Sequence, residues 1–228
     1  MLNTAEAARF LRVSQASIRR WSDSGLLPGR RVGRRRERRF MEADLVAFMD
    51  RSITATASSP TVMVAGTAIA VPTHLATFFS TGAGGLRLTV PFLADGVRLH
   101  QPCFLAGSAE VHQRYFEALG GGGGITAVQF QGGSAAEAIA HWEDTFAAAV
   151  ANGATVIRVV GEMAYERAMF ANEEEMLRYE EAFDMMSRRY PTASICQYDV
   201  REFDGVALLR ALKAHPDLFD LRIGPLLN

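Results

Sequence analysis

The stretch Ser14–Phe40, SQASIRRWSDSGLLPGRRVGRRRERRF, decides how the N-terminal part of this chain folds. Ser14 can cap a helix that begins at Gln15, because its hydroxyl can accept from the unpaired N–H groups of the first turn. Ile18 and Trp21, three residues apart, give that helix an inward face, and Gly25 suits its C-terminal end. Leu27-Pro28-Gly29 then starts an extended segment. Seven arginines follow between Arg30 and Arg39, with no apolar stripe of helical period. Val32 and Phe40 are the two apolar anchors, so the segment reads as a β-hairpin. Arg30–Val32 runs out, Gly33–Glu37 forms the tip, and Arg38–Phe40 returns. Upstream, Thr4 is expected to cap a helix with Ala7, Ala8 and Leu11 inward, joined to the second helix by a turn at Val13-Ser14. Downstream, Glu42–Met49 predicts a third helix burying Leu45 and Phe48.

Two short helices joined by a tight turn, followed by a basic hairpin, form a winged helix-turn-helix. With Ile18 and Trp21 inward, Gln15, Ser17, Arg19 and Arg20 are left to meet base edges, where arginine can pair with guanine through two hydrogen bonds. Arg30, Arg31, Arg34, Arg35, Arg36, Arg38 and Arg39 of the wing are expected to lie along phosphates. The competing readings are a solvated charge run and an arginine-rich RNA-binding segment.

The run LNTAEAARFLRVSQASIRRWSDSGLLPGRR, followed by RRFMEADL, resembles the winged helix-turn-helix of the MerR family over residues 2–49. The resemblance implies a recognition helix at SQASIRRW and a wing closed by Arg38-Arg39-Phe40. The long dimerising helix and the metal-binding cysteines of that family are missing here. What remains is the compact, excisionase-sized version, and any dimer must be built elsewhere in the chain.

Charge sets this head apart. Residues 1–52 hold twelve Arg and six Asp/Glu, a net +6, while the remainder holds twelve Lys/Arg and nineteen Asp/Glu, a net −7. A basic head on an acidic body implies an anionic partner for the head alone. Residues 52–61, SITATASSPT, are small and polar where the charge changes sign. The expected organisation is therefore a DNA-binding domain at 1–52, a linker at 53–61 and a second domain at 62–228. The N-terminus has no apolar core of a signal peptide, and no apolar run is long enough to span a bilayer, so a cytoplasmic protein without membrane contact is expected. Cys103 and Cys196 lie far apart among apolar neighbours and read as buried thiols, with a redox pair in space left open. No spacing of Cys and His suggests a metal, and no metal or cofactor is expected.

The second domain alternates strands with helices. Strands are predicted at Val62–Val71, Cys103–Ala106, Thr126–Phe130, Thr155–Val160 and Ser194–Tyr198. Helical stripes run through Leu86, Val90, Leu93 and Val97, then Ile139, Trp142, Phe146 and Val150, then Met176, Tyr179, Phe183, Met186 and Tyr190. The fold class is α/β: a small winged helix-turn-helix followed by a larger RecA-like or Rossmann-like domain with a mostly parallel sheet. The Gly120–Gly124 run reads as a mobile loop before a strand. Neither it nor the first β-α turn, FFSTGAGGL, carries the Lys-Ser/Thr of a phosphate loop, which argues against ATP hydrolysis.

The segments VPFLADGVRLHQPCFL, IRVVGEMAY, SICQYD and LKAHPDLF resemble the MEDS sensory domain over about residues 70–220, as found in the dichloromethane-responsive repressor family of methylotrophic bacteria. The resemblance implies a RecA-like fold without a phosphate loop that senses a small organic compound. Strand ends of a parallel sheet are where ligands sit. The candidate effector contacts are therefore His74, Glu162, Met163, Tyr165, Gln197, Tyr198 and Asp199. A plainer reading has Glu162 and Asp199 capping helices or pairing with Arg158 or Arg201, and His74 serving structure. The whole reads as a non-enzymatic transcription regulator. It would bind an inverted repeat of double-stranded DNA as a homodimer or higher homo-oligomer under control of an effector. The alternative is a RecA-like nucleotide-binding switch or ATPase with a DNA-binding head.

Overall fold

The computed structural model describes residues 1–11, 13, 15–23, 27–33, 37–48, 60–130, 133–215 and 217. The chain divides into two compact units, Met1–Ser59 and Pro60–Asn228.

In the first unit, β1 (Leu2–Asn3) leads into α1 (Thr4–Leu11) and α2 (Gln15–Asp23). Strands β2 (Arg30–Val32) and β3 (Glu37–Phe40) follow, then α3 over residues 42–48. The hairpin pairs Arg30 with Arg39, Arg31 with Arg38 and Val32 with Glu37. β1 adds a third strand that the sequence reading did not include, pairing Leu2 with Phe40. The core is Ala7, Ala8, Ile18, Leu27, Phe40 and Leu45, with Trp21 packed on Phe48 at 5.0 Å between ring centroids. Two expectations need correction. Val32 is 47% exposed and is no anchor, so among the described residues Phe40 is the apolar side chain of the hairpin that enters the core. The cap of α1 is Asn3, not Thr4. The Asn3 side chain accepts from the N–H groups of Ala5 and Glu6, and the Glu6 carboxylate accepts from the Asn3 N–H, a reciprocal capping box. Asn3→Ala should therefore cost this unit about 1 kcal/mol, while Thr4→Ala changes little, as read from denaturant midpoints. Equal losses would restore Thr4 as the cap. The expected Ser14 cap, the Gly25 helix end, the wing-tip residues 34–36 and linker residues 53–59 lie outside the described residues, while Thr61, expected in the linker, begins a strand of the second unit.

Gly29 shows why the wing starts where it does. A Cβ there would sit 2.5 Å from Ser22 Oγ and 2.9 Å from the Phe40 ring, so the strand can cross α2 this closely only without a side chain.

The second unit is built on a five-stranded parallel sheet in the order β6-β10-β9-β7-β8. Its strands are β6 (Thr73–Phe79), β7 (Cys103–Ala106), β8 (Ile125–Val128), β9 (Ile157–Glu162) and β10 (Thr192–Asp199). The predicted strand Val62–Val71 is instead a separate hairpin, β4 (Thr61–Val64) and β5 (Thr67–Ala70), turned at Ala65-Gly66 with both residues at positive φ. The first strand of the main sheet is β6, so His74 lies within a strand and not after one.

The helices are α4 (Gly82–Arg98), α5 (Ala109–Ala118), α6 (Ala135–Ala151), α7 (Met163–Met169), α8 (Glu173–Ser187) and α9 (Gly205–Ala214). Helices α4 and α5 pack together on one side, and α6, α8 and α9 pack together on the other. Strand side chains divide between these layers. Arg158 bonds the Phe92 carbonyl and Gln197 the Gly85 carbonyl, both in α4. Cys196, one residue before Gln197, must face the α8 side. Cys103 contacts the Leu93 carbonyl of α4, so the two cysteines lie on opposite faces and cannot form a redox pair.

The buried line of α4 also differs from expectation. It runs through Gly85, Leu88, Thr89, Phe92, Leu93 and Gly96, whereas Leu86, Val90 and Val97 are partly covered. Val150 is exposed, while Trp142 and Phe146 on the same helix are buried. The glycine run forms the turn from α5 to β8.

Candidate functional site

On the first unit, Gln15 and Arg19 are exposed on α2, Ser17 and Arg20 are partly exposed, and Arg30 and Arg31 are exposed on β2. Arg19 reaches back to Gln15 Oε1 at 3.4 Å. Arg34, Arg35 and Arg36 lie outside the described residues. Arg38 does not point away from the protein as a wing contact would. Its guanidinium donates to the Arg19 carbonyl at 2.8 Å and to the Asp23 carboxylate, which pins β3 to the end of α2. Arg39 pairs with Glu37 at 2.9 Å, an exposed pair of small net value that a phosphate could displace. Helix α2 and the hairpin are thus held in fixed register, with exposed arginines on both.

In the second unit, strand order places a reversal between β7 and β9. The β7 connection goes outward to β8 and the β9 connection goes inward to β10, with their helices on opposite faces. Such a reversal opens a crevice at the strand C-termini. Glu162 stands there, at the end of β9. Its carboxylate caps α7 by accepting from Ala164 N at 3.3 Å and Tyr165 N at 2.9 Å. Burial pushes its pKa up despite those donors. Gln197 lies beside it in register and accepts from the Tyr115 hydroxyl, which also meets Thr89 Oγ1 at 2.6 Å. Asp199 takes two bonds from the Arg201 side chain, and these hold its carboxyl below the usual range. Arg114 of α5 adds positive potential to both acids.

The remaining expected contacts go elsewhere. Tyr165 exchanges hydrogen bonds with the Phe130 backbone, and Met163 is core. His74 and Tyr198 lie on the α8 face with Glu180, Cys196 and His215. The sheet therefore divides the expected set into Glu162, Gln197 and Asp199 on one side and His74 and Tyr198 on the other.

This second polar group escaped sequence reading, although a signal was present. Glu180 and Asp184 interrupt the apolar stripe Met176-Tyr179-Phe183, and acids are rarely buried without a partner. Glu180 meets His215 Nε2 at 3.2 Å and His74 Nε2 at 3.8 Å. Burial pushes the Glu180 carboxyl up, but its contact with His215 outweighs this and holds it below its usual range. Burial lowers the His215 pKa, yet Glu180 raises it overall. For His74, burial and the neighbouring His215 win and lower it. Burial drives the Cys196 thiol and the Glu166 carboxyl far up. Beside the cluster is a small internal cavity bordered by Trp142, Glu166, Tyr179, Phe183 and Cys196. Trp142 Nε1 donates to the Tyr179 hydroxyl at 2.9 Å within this wall.

Among the described residues no helix is long and apolar enough to cross a membrane. A family model for the MEDS domain (MEthanogen/methylotroph, DcmR Sensory domain) matches residues 73–216, and a helix-turn-helix domain model matches residues 1–52. The chain is 35% identical to the transcriptional repressor DcmR of Methylorubrum extorquens (strain DSM 6343 / CIP 106787 / DM4), over 96% of this chain and 91% of that protein. With a parallel α/β unit behind a helix-turn-helix, and a relative alike along nearly its whole length, this chain belongs to the MEDS sensory-domain family of DcmR-like, non-enzymatic regulators.

Proposed function

We propose that the chain is a cytoplasmic transcriptional repressor whose sensory unit releases DNA when it binds a small organic effector. Residues 1–52 act as a MerR-type winged helix-turn-helix, 53–61 as a linker and 62–228 as the sensor. Gln15, Ser17, Arg19 and Arg20 read bases, while Arg30, Arg31, Arg34–Arg36 and Arg39 follow phosphates. Arg38 serves the same surface by holding the wing against α2. The observation that carries this reading is that pinned register, with an exposed polar helix face beside an exposed arginine strand.

The effector reading rests on the crevice at the strand C-termini, where Glu162, Gln197 and Asp199 meet; His74 and Tyr198 lie on the other face of the sheet, where the internal cavity beside Cys196 is only about 10 Å³. The crevice residues Glu162, Gln197 and Asp199, with Met163 and Tyr165, lie where closure of the strand ends would be felt. One head offers too little surface for tight, specific binding, so the active form is a homodimer on an inverted repeat. An effector that prefers one dimer geometry then shifts DNA affinity by its differential binding.

Binding-site selection with the full chain should return an inverted repeat, and Arg19→Ala should relax preference at particular bases. Equal binding to all sequences would sink the repressor reading. ATP should neither bind nor be hydrolysed, and saturable ATP binding would favour a nucleotide switch instead.

A further inference from the structure

We propose that His74, Glu180, Cys196 and His215 bind one divalent metal ion of the zinc type inside the sensory unit. The inference does not depend on DNA binding and goes beyond the regulatory role, and it makes His74 a metal ligand in place of an effector contact. The four residues come from β6, α8, β10 and the end of α9, and one ligand atom from each lies within 4.8 Å of all the others. Each of the four residues is buried. Measured pairs are 3.1 Å for His74 Nε2 to Cys196 Sγ, 3.8 Å for His74 Nε2 to Glu180 Oε2 and 3.2 Å for His215 Nε2 to Glu180 Oε2. A tetrahedral ion with bonds of about 2.0–2.3 Å spaces its ligands about 3.3–3.7 Å apart, so the three pairs above already stand near that spacing and the others, all within 4.8 Å, need close by no more than about an ångström.

The orientation of both histidines supports coordination over a plain hydrogen-bond network. His215 directs Nδ1 to the Ala211 carbonyl at 2.7 Å, which fixes the tautomer and leaves the Nε2 lone pair toward the cluster. His74 directs Nδ1 toward Asp184, 3.5 Å away, and Asp184 is itself held by Arg188. A carboxylate behind a histidine is the common outer support of a ligating imidazole. At 3.5 Å the Asp184 contact is longer than a good hydrogen bond, and Glu180 Oε2 and His215 Nε2, like His74 Nδ1, have no hydrogen-bond partner of acceptable geometry. Glu180 Oε2 and His215 Nε2 left in that way would be costly, and a shared cation satisfies both.

Charge also balances. One thiolate and one carboxylate with two neutral imidazoles neutralise a dication, and the thiol proton leaves to solvent. Mixed N, S and O donors at four corners favour zinc over magnesium or calcium, which prefer six or more oxygens.

The full-length protein, loaded with Zn²⁺ and freed of loose metal by gel filtration, should retain one zinc per chain. Exchange with Co²⁺ should give visible bands of tetrahedral intensity and a thiolate-to-cobalt charge-transfer band in the near ultraviolet. Cys196→Ser should abolish that band, and His141→Ala, an exposed histidine on α6, should leave it intact. If Cys196→Ser fails to fold, the wild-type cobalt spectrum still decides the sulfur ligand. A folded wild-type chain that retains no zinc, or a cobalt spectrum without charge transfer, would overturn the proposal.

Discussion

Raising salt from 50 to 200 mM should weaken DNA binding by the full chain about a thousandfold. The estimate follows from about six phosphate contacts per head, which give a slope near −5 in log affinity against log salt. Arg30 and Arg31 stand exposed on β2 and Arg39 is partly exposed on β3; with Arg34, Arg35 and Arg36 they make up the six phosphate contacts proposed. Replacing Arg30 and Arg31 by alanine should lower affinity for all sequences alike and flatten the slope by about two. Arg38→Ala should behave differently. It removes the tie between β3 and α2, so affinity falls while the slope changes by less than one contact. A slope near zero in the wild type would remove the electrostatic account altogether.

Phe40→Ala should abolish DNA binding by unfolding the first unit while leaving the second intact. A buried phenylalanine replaced by alanine costs about 3–5 kcal/mol. A unit of this size holds about 3–8 kcal/mol in total, by the usual stability per residue. Phe40 is fully buried, pairs with Leu2 across β1 and touches the path of Gly29, so no neighbour can collapse into its place cheaply. Thermal unfolding of the full chain should lose the transition of the first unit and keep that of the second at its original midpoint. Retained operator binding by this variant would mean that the wing is not anchored through Phe40.

The head was legible because its signals are local. Helix starts, a run of arginines and one aromatic at the end of a hairpin all act within a few residues of each other. Thr4 masks the cap at Asn3 because it offers an equally plausible acceptor oxygen one position later, and the strand Leu2–Asn3 is too short to carry a pattern. In the second unit the strand β6 was missed for a different reason. THLATFF is buried along its whole length, so it shows no alternation, and the more regular Val62–Val71 absorbed the strand signal.

The α4 stripe was rotated because its inner line includes Gly85, Thr89 and Gly96, which hydrophobicity does not flag. Gly96 is small because the Arg158 side chain occupies the space a Cβ would need, a reason visible only in three dimensions. The cluster of His74, Glu180, Cys196 and His215 follows the same logic. Its members are scattered along the chain, and only the pairing of β6 with β10 and the packing of α8 with α9 bring them together.

That pairing has a consequence for how the protein is made. The first strand of the large sheet rests against its last, with His74 and Cys196 separated by 122 residues. During synthesis, β6 leaves the ribosome long before β10 exists, and at about 5–20 residues per second it waits several seconds for the one sheet neighbour it has among the described residues. The basic head is complete by then and folds on local contacts. A nascent chain, or one cut short before Thr192, would thus carry a finished DNA-binding head with an unfinished sensor. Such a fragment would lack the unit proposed to bring two heads together, so premature truncation here yields a folded head that holds DNA only weakly.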